Sequence, residues 1–167
     1  MDRLLRAASL LFTGLFAGFL LGVLVLENSL RGYGAEVYTQ VRQVELDALD
    51  TLASVTLIPA IIATVVLVIR GGNRRTGLLA AGLLVLVLVT SLVINLPINA
   101  EQADWLVQSP PADWAAVRDR WQVAHLVRTV AAVLAFGVLV AGGQSSRPAD
   151  SRRETRTSWA TAGAVRP

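Results

Sequence analysis

Four side chains at the start of the last apolar run have the chemistry of a functional site: Arg118, Trp121, His125 and Arg128. At about 100° per residue, they project within roughly 80° of one another on a helix. A span of about 20 residues, the length that a bilayer core requires, covers 123–142 and places His125 and Arg128 in the membrane. Because a charged Arg at the bilayer centre costs about 3 kcal/mol on insertion scales, such groups usually face the interior of a bundle. The stripe is therefore predicted to have polar partners.

The preceding apolar run ends in a second polar group, in which Asn95 and Asn99 flank Pro97. An antiparallel neighbour brings both amides to the depth of His125 and Arg128, and two polar clusters at one level predict a site. In the alternative, Arg128 extends to the lipid headgroups and His125 is a satisfied interfacial histidine. Glu27, at the end of the first apolar run, either faces this site or is a solvated span end.

The composition is that of an integral membrane protein. Of the 167 residues, 54% are hydrophobic and 16% are charged, and the mean hydropathy is +0.57. Four spans are predicted, at about 7–26, 52–69, 77–96 and 123–142, each close to the length that crosses a bilayer. The predicted fold is all-α, a four-helix membrane bundle in one domain over 1–143. The tail over 144–167 is rich in Ser, Arg, Thr and Pro, and is predicted to be disordered.

The residue inventory excludes several kinds of chemistry. The chain has no Cys, so it forms no disulfide, thiolate nucleophile or thiolate metal site, and its one His cannot supply a two-histidine metal or haem site. No metal site is predicted. The sequence pI near 10.5 is that of many nucleic-acid-binding proteins, but most of the surplus Arg flanks apolar spans. We expect no nucleic-acid partner; the predicted partners are the lipid bilayer and a small lipophilic molecule.

The elements around the site have recognisable patterns. Gly14, Gly18 and Gly22 give the first span a nearly bare face that another helix can approach, including one from a second copy in a homo-oligomer. Residues 31–50 predict an amphipathic extramembrane helix leading directly into the second span, which Pro59 should kink. The apolar positions of that helix are Tyr33, Val37, Val41, Val44 and Ala48.

Turn and cap residues set the remaining boundaries. The third span is predicted to end at Pro97. A long fourth helix is predicted to start at Ser109, with Pro at its first position and an acidic residue in its first turn. Trp105, Trp114 and Trp121 are expected in an interfacial belt. The remainder of this helix is interpreted as lipid-compatible filling: Ala131, Ala132, Val133, Leu134 and Ala135.

The distribution of Arg predicts the orientation. With four spans and the N-terminus inside, the cytoplasmic segments hold Arg3, Arg6, Arg70, Arg74, Arg75, Arg147, Arg152, Arg153, Arg156 and Arg166, whereas the outer loops hold Arg31, Arg42, Arg118 and Arg120. The positive-inside rule then places both termini in the cytoplasm. We expect the plasma membrane of a bacterium, with the polar cluster in the outer leaflet.

The pattern of residues 95–129 resembles a known family. Asn95-Leu-Pro-Ile-Asn99, Pro111-Ala-Asp-Trp114 and the run from Arg118 through Trp121 and His125 to Arg128-Thr129 are similar to the signature of the anthrone oxygenase-like family of small four-span membrane proteins. A weaker likeness covers 13–18, and the span layout agrees over about 8–141. The resemblance implies oxidation of polyketide anthrones to anthraquinones by molecular oxygen with no evident cofactor.

The resemblance also implies roles for particular residues. His125 is the side chain whose ordinary pKa suits proton transfer near neutrality, so it is the expected base. Arg128 would stabilise the developing oxyanion, with Asn95 and Asn99 as amide donors. Trp121 offers a flat wall for a polycyclic substrate. Glu27 is a second candidate base or a counter-ion for Arg128.

Two other classes of function use the same residues. In a non-catalytic lipophile-binding or accessory module, the two Asn satisfy backbone loosened by Pro97, and Arg128 pairs with Glu27 or a carbonyl. A small exporter also has four spans. It would need a proton-coupling carboxylate near the bilayer centre, whereas Glu27 is at a span end.

Overall fold

The computed structural model describes residues 2–70 and 73–144, and these residues form helices joined by turns and loops. The helices are α1 (Asp2–Ser29), α2 (Ala35–Ile69), α3 (Arg74–Thr90), α4 (Leu96–Ala103) and α5 (Trp114–Gln144), with a 3₁₀ turn at Leu30–Gly32 and a π-helical turn at Ser91–Asn95. The tail predicted to be disordered lies outside the described residues, except Gln144.

Among the described residues, four segments are long and apolar enough to cross a membrane: Arg3–Gly32, Ala35–Ile69, Arg74–Ala103 and Trp114–Gly142. This confirms the predicted all-α four-span membrane fold. Large apolar side chains lie on the outside of every segment, among them Leu15, Ile62, Leu86 and Leu126. In a bilayer such side chains meet lipid tails that are as apolar as they are, so their exposure is expected.

The four long helices pack as a ring in the order α1, α2, α3, α5, so that α2 and α5 lie diagonally opposite each other. The centre of the ring is filled by Phe16 and Leu20 of α1, Leu84 of α3, and Ala132 and Ala135 of α5. The interpretation of this part of α5 as lipid-compatible filling agrees with the exposed Val133 and Leu134, but it is wrong for the three alanines, which are buried. Small residues on the inner face let helices approach closely, which is how membrane helices pack.

Part of the glycine face of α1 packs closely against another helix. A Cβ built on Gly14 would lie 2.9 Å from Phe136 Cε2 of α5, so this glycine permits a close helix contact. Gly18 and Gly22 have open space beside them and are exposed. The homo-oligomer through this face stays a prediction.

Helix α2 runs without a break from the predicted amphipathic segment through the predicted second span, including Pro59. This agrees with the prediction that the one leads directly into the other. At about 1.5 Å per residue it is about 52 Å long, longer than a bilayer core. In the first half of this helix, polar residues lie inside and apolar residues lie outside, the reverse of an ordinary amphipathic helix. Val37 and Val44 are exposed, whereas Tyr38, Arg42 and Glu45 are buried. The polar residues are inside because they bond one another there.

Two predicted helix boundaries are wrong. The third span does not end at Pro97, because a π-helical turn precedes this residue and α4 carries the helix on to Ala103. Pro97 is in the first turn of α4, where its missing N–H breaks no helical bond. Helix α5 begins at Trp114 rather than near Ser109, and its early backbone bond runs from Val117 N–H to Asp113 O at 3.2 Å.

Candidate functional site

A cavity of about 40 Å³ lies between the diagonal helices α2 and α5. Its polar lining comes from Arg42, Glu45 and Asp50 of α2, Asn99 of α4, and Trp121, His125 and Arg128 of α5. Phe19 and Val23 of α1 and Leu46, Leu49 and Ala53 of α2 complete it. At about 10–15 Å³ per water, this volume holds about three waters.

The cavity opens along α2. Asp50 is exposed, and Leu46, Leu49 and Ala53 are half-buried, whereas Val23, Trp121 and His125 are buried. The opening is at the level where the predicted second span begins. An apolar ligand can therefore approach from the side of the bundle.

Trp121 is the wall of the site. Its ring stacks on the His125 ring, with centroids 4.8 Å apart and planes 8° from parallel. Arg42 Cζ lies 4.0 Å from the Trp121 centroid, a cation–π distance, and Arg128 Cζ lies 5.9 Å away. Trp121 Nε1 donates to Asn99 Oδ1 at 2.7 Å. The ring is thus fixed by a hydrogen bond at its edge and by contacts on its faces, instead of lying in a lipid-facing belt.

Both nitrogens of His125 are engaged within the protein. Nε2 lies 3.0 Å from the Leu20 carbonyl oxygen, and Arg128 Nη2 lies 2.8 Å from Nδ1. A carbonyl only accepts and a guanidinium only donates, so Nε2 carries the proton and Nδ1 accepts from Arg128. The expected role of His125 as a base stays a prediction. To accept a proton, Nδ1 must first release Arg128.

Arg128 turns inward and meets polar side chains. Nη1 donates to Ser91 Oγ at 3.0 Å and Nη2 donates to His125. Its Nε is buried and finds no acceptor among the described residues. Ser91 belongs to the π-helical turn, a distortion that occurs frequently at functional sites. The turn thus helps to fix a guanidinium beside the cavity.

Arg42 is the centre of the polar network, and the sequence reasoning missed it. Its guanidinium donates from Nε to Gln102 Oε1 at 2.8 Å, from Nη1 to Glu45 Oε2 at 2.7 Å and from Nη2 to Asn99 Oδ1 at 2.6 Å. Glu27 Oε1 lies 3.5 Å from Nη1. The side chain is 4% exposed, so these bonds are shielded from water.

The signal for this network was the spacing of Tyr38, Arg42 and Glu45, which repeats as a helical face. An amphipathic helix outside the membrane would turn its charged face to solvent. Helix α2 instead packs this face against α1 and α4. Gln102 Nε2 also donates to the Tyr38 hydroxyl at 3.2 Å, which ties α4 to the same face.

Two carboxylates share the Arg42 guanidinium. Gln122 Nε2 donates to Glu27 Oε2 and to the Glu27 carbonyl, both at 2.9 Å. Glu45 Oε2 accepts from Arg42 Nη1, and the Glu45 carboxylate also lies beside the Glu27 carboxylate. Glu45 Oε1 accepts no hydrogen bond from an N–H or hydroxyl group within the described chain. Glu27 is paired with Arg42 rather than with Arg128, which corrects the expected counter-ion. Within the described residues Arg128 has no carboxylate oxygen within 4.0 Å.

The structure brings four of the six predicted site residues to the cavity: Asn99, Trp121, His125 and Arg128. The other two residues do not line the cavity but contact residues that do. Asn95 Nδ2 donates to the Trp121 carbonyl at 3.3 Å, and Glu27 reaches the site through Arg42. Arg118, from the same predicted stripe, lies over Trp114 at 4.9 Å instead.

A family model described as anthrone oxygenase matches residues 48–138, more than half of the chain. The chain belongs to the anthrone oxygenase family. The matched segment contains α4 and most of α5, and with them Asn99, Trp121, His125 and Arg128; Arg42 and Glu45 precede it. No curated protein and no solved structure matches this chain.

Proposed function

We propose that this anthrone oxygenase family protein oxidises a flat, lipophilic phenolic or polycyclic ketone with molecular oxygen, without a cofactor, in the cavity between α2 and α5. The observation that carries the proposal is the convergence of four groups on this cavity. They are the Trp121 wall, the guanidinium groups of Arg42 and Arg128, and the buried Glu45 carboxylate.

The oxidation of an anthrone needs little catalytic assistance from the protein. An anthrone has a methylene group between two aryl rings, conjugated to a carbonyl, and loss of one proton gives a phenolate-like anion that reacts directly with oxygen. The overall change is CH₂ + O₂ → C=O + H₂O. The protein must supply a proton acceptor and stabilise an oxyanion. Arg128 serves the second need, because a fixed cation in a site shielded from water stabilises developing negative charge strongly.

The size of the cavity supports a substrate that binds partly outside it. Ligand sites for drug-sized molecules are about 300–1,000 Å³, whereas this cavity is about 40 Å³. We infer that the reacting edge and oxygen occupy the cavity, and that the remaining rings lie over Leu46, Leu49 and Ala53 at its opening. Such a substrate enters from the lipid, and small side-chain shifts widen the entrance.

The proposed setting is the plasma membrane of a bacterium, with both termini in the cytoplasm. The cavity then lies at the outer end of the bundle, beside the long connection between α4 and α5. A lipophilic substrate dissolved in the outer leaflet reaches the α2 opening without crossing the membrane.

The test is oxygen uptake by the purified protein in lipid nanodiscs with anthrone, compared with empty nanodiscs. We expect protein-dependent uptake with matching quinone formation. Arg128→Gln should lower the rate by about 10²-fold, the loss typical of removing one oxyanion-stabilising donor. Arg75→Gln, an exposed arginine at the far end of the bundle, should keep the wild-type rate. Equal rates with protein and with empty nanodiscs would reject the proposal.

A non-catalytic lipophile-binding module is the second candidate. The observation in its favour is that His125 has both nitrogens engaged and that Arg42 makes all its bonds inside the protein. These bonds need no ligand to explain them. Saturable binding of anthrone, with no protein-dependent oxygen uptake, would support this function over the oxygenase.

A further inference from the structure

We propose that Glu45 is the proton acceptor of the oxidation, and that Arg42 positions it. This assignment rests on the proposed function and names the base that the reaction requires. Glu45 lines the same cavity as Trp121, His125 and Arg128. It lies outside the segment that matches the family model.

The carboxylate is both fixed and available. Arg42 Nη1 holds Glu45 Oε2 at 2.7 Å, and Glu45 Oε1 accepts no hydrogen bond from the described residues. The residue is 5% exposed, so water does not compete freely for it. A proton can therefore be taken up on Glu45 while Oε2 keeps its bond to Arg42, and the neighbouring Glu27 carboxylate can share this proton.

His125 is the less suitable acceptor in this geometry. Its Nδ1 accepts from Arg128 at 2.8 Å and its Nε2 donates to the Leu20 carbonyl. Protonation of Nδ1 would break the first bond and place an imidazolium against a guanidinium, where two buried positive charges repel. His125 instead positions Arg128 for the oxyanion.

The surrounding charges can accommodate a proton on Glu45. The titratable and charged groups around it are Glu27 from α1, Arg42 and Asp50 from α2, and His125 and Arg128 from α5. Glu27 and Glu45 both contact Arg42 Nη1, at 3.5 and 2.7 Å. When Glu45 is neutral, Arg42 and Glu27 remain as a matched pair of opposite charges. The proton can therefore be held between steps.

The steps balance as follows. The methylene C–H bond breaks, its proton passes to Glu45 and its electron pair enters the ring system, with negative charge on the oxygen that faces Arg128. The anion gives one electron to O₂, and the two radicals join to form a C–O bond. Glu45 returns its proton to the peroxide. Loss of the second C–H proton to Glu45 breaks the O–O bond, and the hydroxide that leaves takes up this proton, giving the ketone and water.

The experiment separates proton removal from oxidation. Anthrone is incubated with the wild-type protein in nanodiscs in D₂O without oxygen, and deuterium entry at the methylene is followed above the spontaneous rate. We expect the protein to accelerate exchange, and Glu45→Gln to lose this acceleration by about 10²-fold, the low end of general-base contributions. Asp47→Asn, an exposed carboxylate two residues away, should exchange as the wild type does.

A second readout excludes a merely structural effect. With oxygen present, the Glu45→Gln defect should shrink as the pH rises, because anthrone is then increasingly an anion in solution and needs no base. If Glu45→Gln folds poorly, Glu45→Asp takes its place. This variant keeps a carboxylate on a shorter stem and should give an intermediate rate. A structural defect would persist at every pH.

The outcomes distinguish the two proposals. If the wild-type protein accelerates deuterium exchange without oxygen but takes up no oxygen when it is present, the proposed oxidation is contradicted. Glu45 would remain a base. Wild-type exchange in Glu45→Gln, or a loss that is equal at all pH values, would overturn the assignment of Glu45. Loss of exchange in His125→Gln alone would return the role of base to His125.

Discussion

At the scale of single residues, one guanidinium decides how the site is built. Arg42 bonds side chains from α2 and α4, lies 3.5 Å from the α1 carboxylate of Glu27, and its Cζ lies over the Trp121 ring of α5. A buried charge of this kind is tolerated only when its bonds are complete. The network therefore orients the groups around the cavity and joins all four spans at once.

Removal of Arg42 should be far more damaging than removal of a surface arginine. Arg42→Gln leaves Glu27 and Glu45 without their cation, and a broken buried pair typically costs about 3–5 kcal/mol. Arg75→Gln is the control, since Arg75 is exposed at the start of α3, away from this network, and surface substitutions usually change stability by less than about 0.5 kcal/mol. Thermal unfolding in detergent measures both. Equal stabilities of the two variants would contradict the central role of Arg42.

At the scale of elements, the periodicity of the sequence was sufficient to predict the four spans, but not which face of each span packs inside the bundle. Apolar runs of the right length predicted four membrane helices. They did not show that the alanines of α5 face the bundle, because Ala is compatible with lipid and with a close helix contact alike. Likewise, nothing within Ser91–Asn95 indicates a π-helical turn, which contacts α5 in the folded protein.

The inner face of α5 can be tested by a pair of enlargements. Ala132 is fully buried, whereas Val130 is 50% exposed. Ala132→Leu should destabilise the bundle by about 1–3 kcal/mol, because the core has no room for extra methylenes. Val130→Leu should be nearly neutral, since it adds apolar surface toward lipid. Unfolding in detergent measures the difference; a neutral Ala132→Leu would show that the α5 face is assigned incorrectly.

At the scale of the whole molecule, the sequence predicted more of the residues that line the cavity than of the contacts that hold them together. Asn99, Trp121, His125 and Arg128 were found because they interrupt apolar runs at helical spacing. Arg42 and Glu45 were missed because a mixed polar segment looks alike whether it faces water or another helix. Only the tertiary arrangement, in which α2 and α5 lie across a cavity, shows that these charges are inside.

The orientation of the molecule is open to direct measurement, because the chain contains no Cys. Ala112→Cys marks the connection before α5 and Arg75→Cys marks the start of α3; both positions are exposed. With both termini in the cytoplasm, a membrane-impermeant maleimide should label residue 112 in intact cells and residue 75 only after permeabilisation. The opposite pattern would invert the protein and place the cavity at the cytoplasmic end.

The central claim is that oxygen is transferred to a substrate at the cavity. The most direct measurement is mass spectrometry of the quinone formed from anthrone under ¹⁸O₂ by the purified protein in nanodiscs. We predict quinone formation well above the protein-free rate, with its new carbonyl oxygen derived from ¹⁸O₂. The same yield of labelled quinone with and without the protein would contradict the account.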